Sequence, residues 1–263
     1  MQDSPIQHLA FSPPHSLFTP CGKLPLPQTR PTNQNEDVGG TSFEFSGNGQ
    51  PYSGYLAPSE TGSGPGVIVI QEWWGLVGHI KDVADRFSKE GFTALAPDFY
   101  HGKHTDEPDE AGSLMMALDV PEAERVIQGA VEALLAHEAT TGEKVGVVGF
   151  CMGGQLSLFA ASINPKIGAC VDYYGIHPNV HPKLEDLRAP VMGFFAERDE
   201  HVWPAQVSVL DMNLSELGKE HYFKTYRGCH HAFFNSDRPD VYDQEAAEDS
   251  WAAMLKFFRR QLA

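Results

Sequence analysis

Residues 145 to 161 pass from the apolar run Val145-Gly146-Val147-Val148 through Gly149-Phe150-Cys151-Met152-Gly153-Gly154 into the helical stretch Gln155 to Ala161. A strand, a tight corner and a helix in that order bring two backbones close together, which the small residues at 149 and 153 permit. A strand that feeds straight into a helix belongs to a parallel sheet, and the flanking sequence repeats the pattern. Apolar strand-like runs at Val67 to Gln71, Thr93 to Ala96, Lys144 to Gly149, Ala169 to Tyr173, Val191 to Phe195 and His221 to Tyr226 alternate with amphipathic stretches near 78 to 90, 121 to 138, 152 to 163, 204 to 218 and 239 to 262. Thr41 to Ser46 and Pro51 to Ala57, joined by a glycine-containing turn, read as an antiparallel pair ahead of them. The expected fold class is α/β, with a mostly parallel central sheet flanked by helices on both faces.

The corner carries a nucleophile. At a helix start Cys151 feels the positive end of the helix dipole, which favours negative charge there, and the first free backbone N–H groups can bind an oxyanion. A buried cysteine packing as a small hydrophobe is the alternative if nothing partners it. Partners are present: Asp199 follows the run Val191 to Phe195, and His231 follows the run His221 to Tyr226. Nucleophile, acid and histidine in that chain order, each just past a strand, match the order of the α/β-hydrolase fold, whose sites lie at the C-terminal edge of the sheet. In this arrangement His231 takes the thiol proton and Asp199 orients and stabilises the imidazole. Glu72 stands two residues past the continuous apolar run Val67 to Ile70, where a carboxylate needs a partner or a function, and is a candidate proton acceptor for the thiol. The backbone N–H groups of Trp73 and Met152 are the candidate oxyanion hole.

These stretches resemble the dienelactone hydrolase family. The resemblance rests on Val69-Ile70-Gln71-Glu72-Trp73-Trp74-Gly75-Leu76, Ala96-Pro97-Asp98-Phe99-Tyr100, the Cys151 corner, the segment around Asp199 and Gly228-Cys229-His230-His231-Ala232-Phe233, and it spans about residues 41 to 263. It implies an α/β-hydrolase fold, a Cys151-His231-Asp199 triad that opens small lactones or esters through a thioester acyl-enzyme, no cofactor and no metal. It also implies that Glu72 takes part in activating the thiol. The sequence departs from the family where arginines bind the substrate carboxylate, since Tyr100-His101-Gly102-Lys103-His104 and His231-Ala232-Phe233-Phe234-Asn235 contain none. Lys103, His101 or His104 is the candidate replacement cation, and the extra His230 is read as facing water. Trp74, Tyr100, Tyr174, Trp203 and Phe233, with Lys103, are the candidate substrate-binding residues. A thiol esterase for small neutral esters or thioesters is the nearest alternative function, and a redox-responsive or ligand-binding protein pairing Cys151 with Cys229 is a more distant one.

Composition narrows the partners. With 35 acidic against 19 basic residues the formal net charge is −16, which opposes binding to nucleic acid and to anionic lipid. No apolar stretch is long enough to span a membrane, and the four cysteines show no paired spacing, as expected of a reducing, cytoplasmic setting. The expected partner is therefore a small-molecule lactone or ester, with monomer or homodimer left open. Seven prolines fall among the first 31 residues, so residues 1–40 read as an extended arm with Leu9, Phe11, Leu17 and Phe18 as possible anchors, and 41–263 as the catalytic domain. The arm has no basic start and apolar core of a signal peptide. Asp98 to Val120 reads as a long loop in which the Met115-Met116 pair packs or covers the site. His177 and His181 fall between prolines that break any helix, against a metal pair.

Overall fold

A computed structural model describes residues 39–263. The proposed N-terminal arm and its anchors lie outside the described residues, apart from Gly39 and Gly40. Eight strands form one sheet: β1 (Thr41–Gly47), β2 (Gln50–Ala57), β3 (Gly64–Ile70), β4 (Thr93–Pro97), β5 (Thr140–Phe150), β6 (Ile167–Tyr173), β7 (Val191–Ala196) and β8 (His221–Tyr226). Their order is β1-β2-β4-β3-β5-β6-β7-β8. The pairs β1/β2 and β2/β4 are antiparallel and the other neighbours parallel, so the expected hairpin is the one departure from a parallel sheet.

Six α-helices cover it: α1 (Gly78–Lys89), α2 (Pro108–Met116), α3 (Val120–Ala136), α4 (Met152–Ile163), α5 (Pro204–Glu216) and α6 (Gln244–Gln261). The central strands alternate between two cores, as side chains on a pleated strand must. Val67, Val69, Val148 and Phe150 join α1 and α6 on one face, while Ile68, Ile70, Val145 and Val147 join α3 and α4 on the other. Both faces being buried explains the uninterrupted apolar runs.

Two elements differ from the sequence reading. The segment read as a loop contains α2, started by Pro108 and by Asp109 and Glu110 in its first turn. Only Ala111 of that helix is buried, so no apolar stripe marks it. The last helix starts at Gln244 rather than near 239, because Asp243 caps it by accepting from Ala246 N–H at 2.9 Å. Among the described residues, no helix is long and apolar enough to cross a membrane.

Candidate active site

The corner between β5 and α4 places the thiol. Cys151 has φ 55° and ψ −119°, a conformation that L-residues rarely adopt. It is fixed on both sides: Cys151 N–H donates to Tyr173 O at 3.0 Å, and Cys151 O accepts from Gly154 N–H at 2.9 Å and Ile176 N–H at 3.1 Å. The glycines are needed for space. A Cβ on Gly149 would run into the Gly153 carbonyl, and one on Gly153 would lie 2.5 Å from the carbonyl oxygens of Ile70 and Gln71. The sheet therefore presses α4 against the ends of β3 and β5 and leaves Cys151 nearly buried at their edge.

Asp199 and His231 meet there from separate turns. Past β7, Asp199 Oδ1 accepts from His201 N–H and Val202 N–H, both at 2.8 Å, which fixes the carboxylate. Its Oδ2 accepts from His231 Nδ1–H at 2.8 Å, which leaves Nε2 as the ring's second nitrogen. Burial alone would push His231 down, but the negative charge on Cys151 and the hydrogen bond to Asp199 outweigh it and raise its pKa to about 10. The Asp199 carboxyl is opposed by burial, yet the His231 partner and the two backbone donors hold it below the ordinary carboxylate range. Imidazole and carboxylate thus form one hydrogen-bonded line, and Cys151 is among the groups that act on the ring.

Around this line stand Glu72, Tyr100 and Tyr174. Glu72 is 1% exposed, just past β3, and its Oε2 accepts from Asn235 Nδ2–H at 2.6 Å. The Tyr174 phenol is pushed up, chiefly by burial, and its ring centroid lies 4.9 Å from that of His231. Tyr100 O–H donates to Met152 Sδ at 3.1 Å, and its phenol is raised by burial and by Cys151. Met152 opens α4, so its N–H has no acceptor within the helix, and Trp73 N–H donates to no group among the described residues.

The remaining candidates separate. Trp73 and Trp74 pack edge to face at 5.0 Å, and the Arg238 guanidinium lies 5.8 Å from the Trp74 ring centroid. Phe233 is fully buried between Tyr174 and Tyr226, so it packs behind Tyr174. Trp203 points outward, 61% exposed, with its indole N–H on Glu200 O at 2.8 Å. Lys103 and His230 are exposed. His177 is engaged with Met115 O through Nε2 at 3.0 Å and accepts from Asn179 N–H through Nδ1, tying its loop to α2. Cys229 lies beside Asp243 and Glu245, and burial together with those carboxylates lifts its thiol to about 11. That environment suppresses the thiolate a resolving cysteine needs.

Two residues were not singled out from sequence. Asn235 partners Glu72, and His201 sets its ring edge-on against His231 at 4.9 Å. Burial and the neighbouring His231 push the His201 pKa down, so it adds a neutral imidazole at the edge of the site. Its only sequence signal was nearness to Asp199.

Comparison with known proteins gives a consistent result. A sequence model described as the dienelactone hydrolase family matches residues 52–262. The chain is 40% identical over 230 residues to the Aquifex pyrophilus protein named usf, covering 85% of this chain and 99% of that one. It is 36% identical, with the same coverage, to an Aquifex aeolicus protein provisionally named carboxymethylenebutenolidase. Among solved structures, a provisionally named dienelactone hydrolase from Klebsiella pneumoniae superposes with a TM-score of 0.72 at 27% identity, covering 84% of this chain and 98% of that one. A dienelactone hydrolase-like promiscuous phosphotriesterase from metagenomic libraries shares the fold, with a TM-score of 0.76 at 24% identity over 86% of this chain and all of that one.

Proposed function

The chain belongs to the dienelactone hydrolase family, a family of carboxylic ester hydrolases, and we propose that it is a cysteine hydrolase opening small lactones or esters through Cys151, His231 and Asp199. The observation that carries this reading is Cys151 at the strained corner together with the His231–Asp199 hydrogen bond at 2.8 Å, on a ring that the Cys151 charge influences. The Cys151 thiolate attacks the acyl carbon, and the N–H groups of Met152 and Trp73 receive the developing oxyanion. Collapse of the tetrahedral intermediate forms the thioester and expels the alkoxide or enolate. In a lactone that leaving oxygen stays tethered to the acyl part.

The same charges suit the second half-reaction. Once Cys151 is acylated its negative charge is gone, and with it the largest influence holding the proton on His231. His231 then becomes a base able to take a proton from water, which attacks the thioester and returns the thiol. Asp199 keeps the ring aligned throughout. Glu72, just past β3 at the same sheet edge, is a candidate participant in activating the thiol when substrate arrives.

Hydrolysis of dienelactone beside a neutral phenyl ester of similar size, by the wild type and Cys151→Ala, tests the reading. Cysteine-dependent turnover of either substrate is expected, with a loss of about 100-fold or more in the variant. A loss below about tenfold would remove Cys151 from the chemistry. Intact-mass measurement on His231→Gln should trap an acyl-enzyme, heavier by the whole lactone or by the acyl group of the ester.

A further inference from the structure

We propose that His177 is a positioning residue that sets the size of substrate this site admits: it latches α2 as a strap across the end of β5, where Cys151 stands. The proposal rests on the cysteine-hydrolase reading and adds the bulk of the ester or lactone to it.

Both ends of α2 are tied to segments that flank the nucleophile. At its start, Thr105 N–H donates to Trp74 O at 3.1 Å, and Thr105 Oγ1–H donates to Glu110 Oε2 at 2.7 Å. A Cβ on Gly75 would lie 2.5 Å from Lys103 O, so the chain leading into α2 rests directly on the Trp73-Trp74 loop. At its end, Met115 O accepts from His177 Nε2–H at 3.0 Å. Trp74 follows β3 and His177 follows β6, and β5 is the strand between those two in the sheet. A helix fastened to both segments therefore crosses the edge at which β5 turns into Cys151. Along that path Trp73, Leu114 and Met115 pack on the cluster that holds Met152.

The two sides of the latch are unequally fixed. Ile176 N–H donates to Cys151 O at 3.1 Å, and Gln155 Nε2–H of α4 donates to Val180 O at 3.0 Å, so the segment carrying His177 is pinned to the nucleophile corner and to α4. Much less holds α2. Ala111 is its one buried residue, whereas α3 buries Val126, Ile127, Val131 and Leu134 among others. With so little apolar surface to keep it down, the polar contacts at its ends decide whether α2 stays closed.

The His177 ring suits this task through its tautomer. It is 4% exposed, and while Nε2–H donates to Met115 O, Nδ1 accepts from Asn179 N–H at 3.0 Å. Burial, with the His181 ring, outweighs the Met115 bond and holds its pKa below the ordinary 6.5. At pH 7 the ring is therefore neutral and carries the single proton that these two bonds require. A side chain without a donor at 177 removes the bond that ties the end of α2 to the pinned segment.

Hydrogen exchange and two alkylating agents that differ in bulk read the strap without any substrate. His177→Leu removes the donor at similar volume, and His177→Gln keeps an N–H to offer Met115 O. In His177→Leu the amides of residues 111–117 should exchange about tenfold or more faster with those of α4 unchanged, and His177→Gln should keep most of the protection. Rates of Cys151 modification by iodoacetanilide and by iodoacetamide, followed by peptide mass, are each divided by the rate of the same reagent with 2-mercaptoethanol. The thiolate displaces iodide in both cases, so the ratio of the two quotients isolates bulk. That ratio should rise about fivefold or more in His177→Leu and stay near the wild-type value in His177→Gln. If His177→Leu does not fold, Thr105→Val, which removes the Glu110 contact at the exposed end of the strap, decides by the same two readouts.

Exchange in α2 that the variant leaves unchanged, or faster exchange with an unchanged bulk ratio, overturns the proposal. Hydrolysis of phenyl acetate and phenyl hexanoate separates it from the reading beneath it. Cysteine-dependent turnover of both esters, in a kcat/KM ratio that His177→Leu does not move, overturns the strap and keeps the hydrolase. A bulk ratio that responds to His177→Leu, with neither ester turned over, does the reverse.

Discussion

The role change assigned to His231 makes a quantitative prediction. Its pKa of about 10 exceeds the ordinary imidazole value of 6.5, although burial acts the other way, and the Cys151 charge is the largest of the groups that raise it. Two unit charges about 4 Å apart in surroundings of effective dielectric near 20 attract by about 4 kcal/mol, or a factor of about 10³ in proton affinity. The thiolate alone can therefore supply most of the rise. Carbamidomethylation of Cys151 with iodoacetamide mimics the acyl-enzyme, because it leaves a neutral thioether on the sulfur. Titration of the His231 ring by NMR, assigned by its loss in His231→Gln, should show a pKa near 10 before alkylation and one shifted back toward 6.5 afterward, with a proton affinity lower by about two to three orders of magnitude. At neutral pH that change turns a cation into a ring with a substantial neutral fraction, which deacylation requires. A ring still titrating near 10 in the alkylated protein would mean that Asp199 alone holds the proton, and the proposed second half-reaction would fail.

Asp199→Asn should lower kcat by about 10²–10⁴ with little change in fold, because the amide cannot fix the tautomer that presents the free nitrogen to Cys151; steady-state kinetics with circular dichroism checks both parts. Stability should depend on pH through His231. A group whose folded pKa is raised stabilises fully below its unfolded value and loses that contribution as pH climbs, so urea unfolding of the wild type should weaken between about pH 6.5 and 10, by about 2–4 kcal/mol more than His231→Gln. The depressed Asp199 carboxyl acts at the other limb, stabilising above the ordinary aspartate value and releasing that stability as pH falls through its own, and Asp199→Asn should flatten the acid limb. Gly153→Ala should destabilise by about 1–3 kcal/mol or more, since its methyl meets rigid carbonyls of Ile70 and Gln71 rather than a side chain that can turn away; a midpoint unchanged in urea would refute the packing of α4 on β3.

What could be read from the chain before its structure follows the range of the forces involved. The corner at Cys151 was legible because an apolar run, small residues and a helix start are all local, and the strands were legible because burial on both faces writes unbroken apolar runs such as Val67 to Ile70. Helix α2 was not, because it buries only Ala111 and so leaves no periodic stripe. Phe233 and Trp203 show a second limit. Both stand within four residues of a triad position, yet one is sealed behind Tyr174 and the other faces solvent, since positive φ at Ala232 and the turn after Asp199 aim their side chains in ways that residue type does not encode. Glu72 and Asn235 show the third. Neither residue signals the other across 163 positions, and the bond between them exists only because β3 and the segment after β8 end on the same edge of one sheet. The candidate catalytic residues sit in contiguous motifs, so a family resemblance reaches them. Contacts such as that of Glu72 with Asn235 join residues of separate segments, and a motif records its own residues without recording which of them will meet.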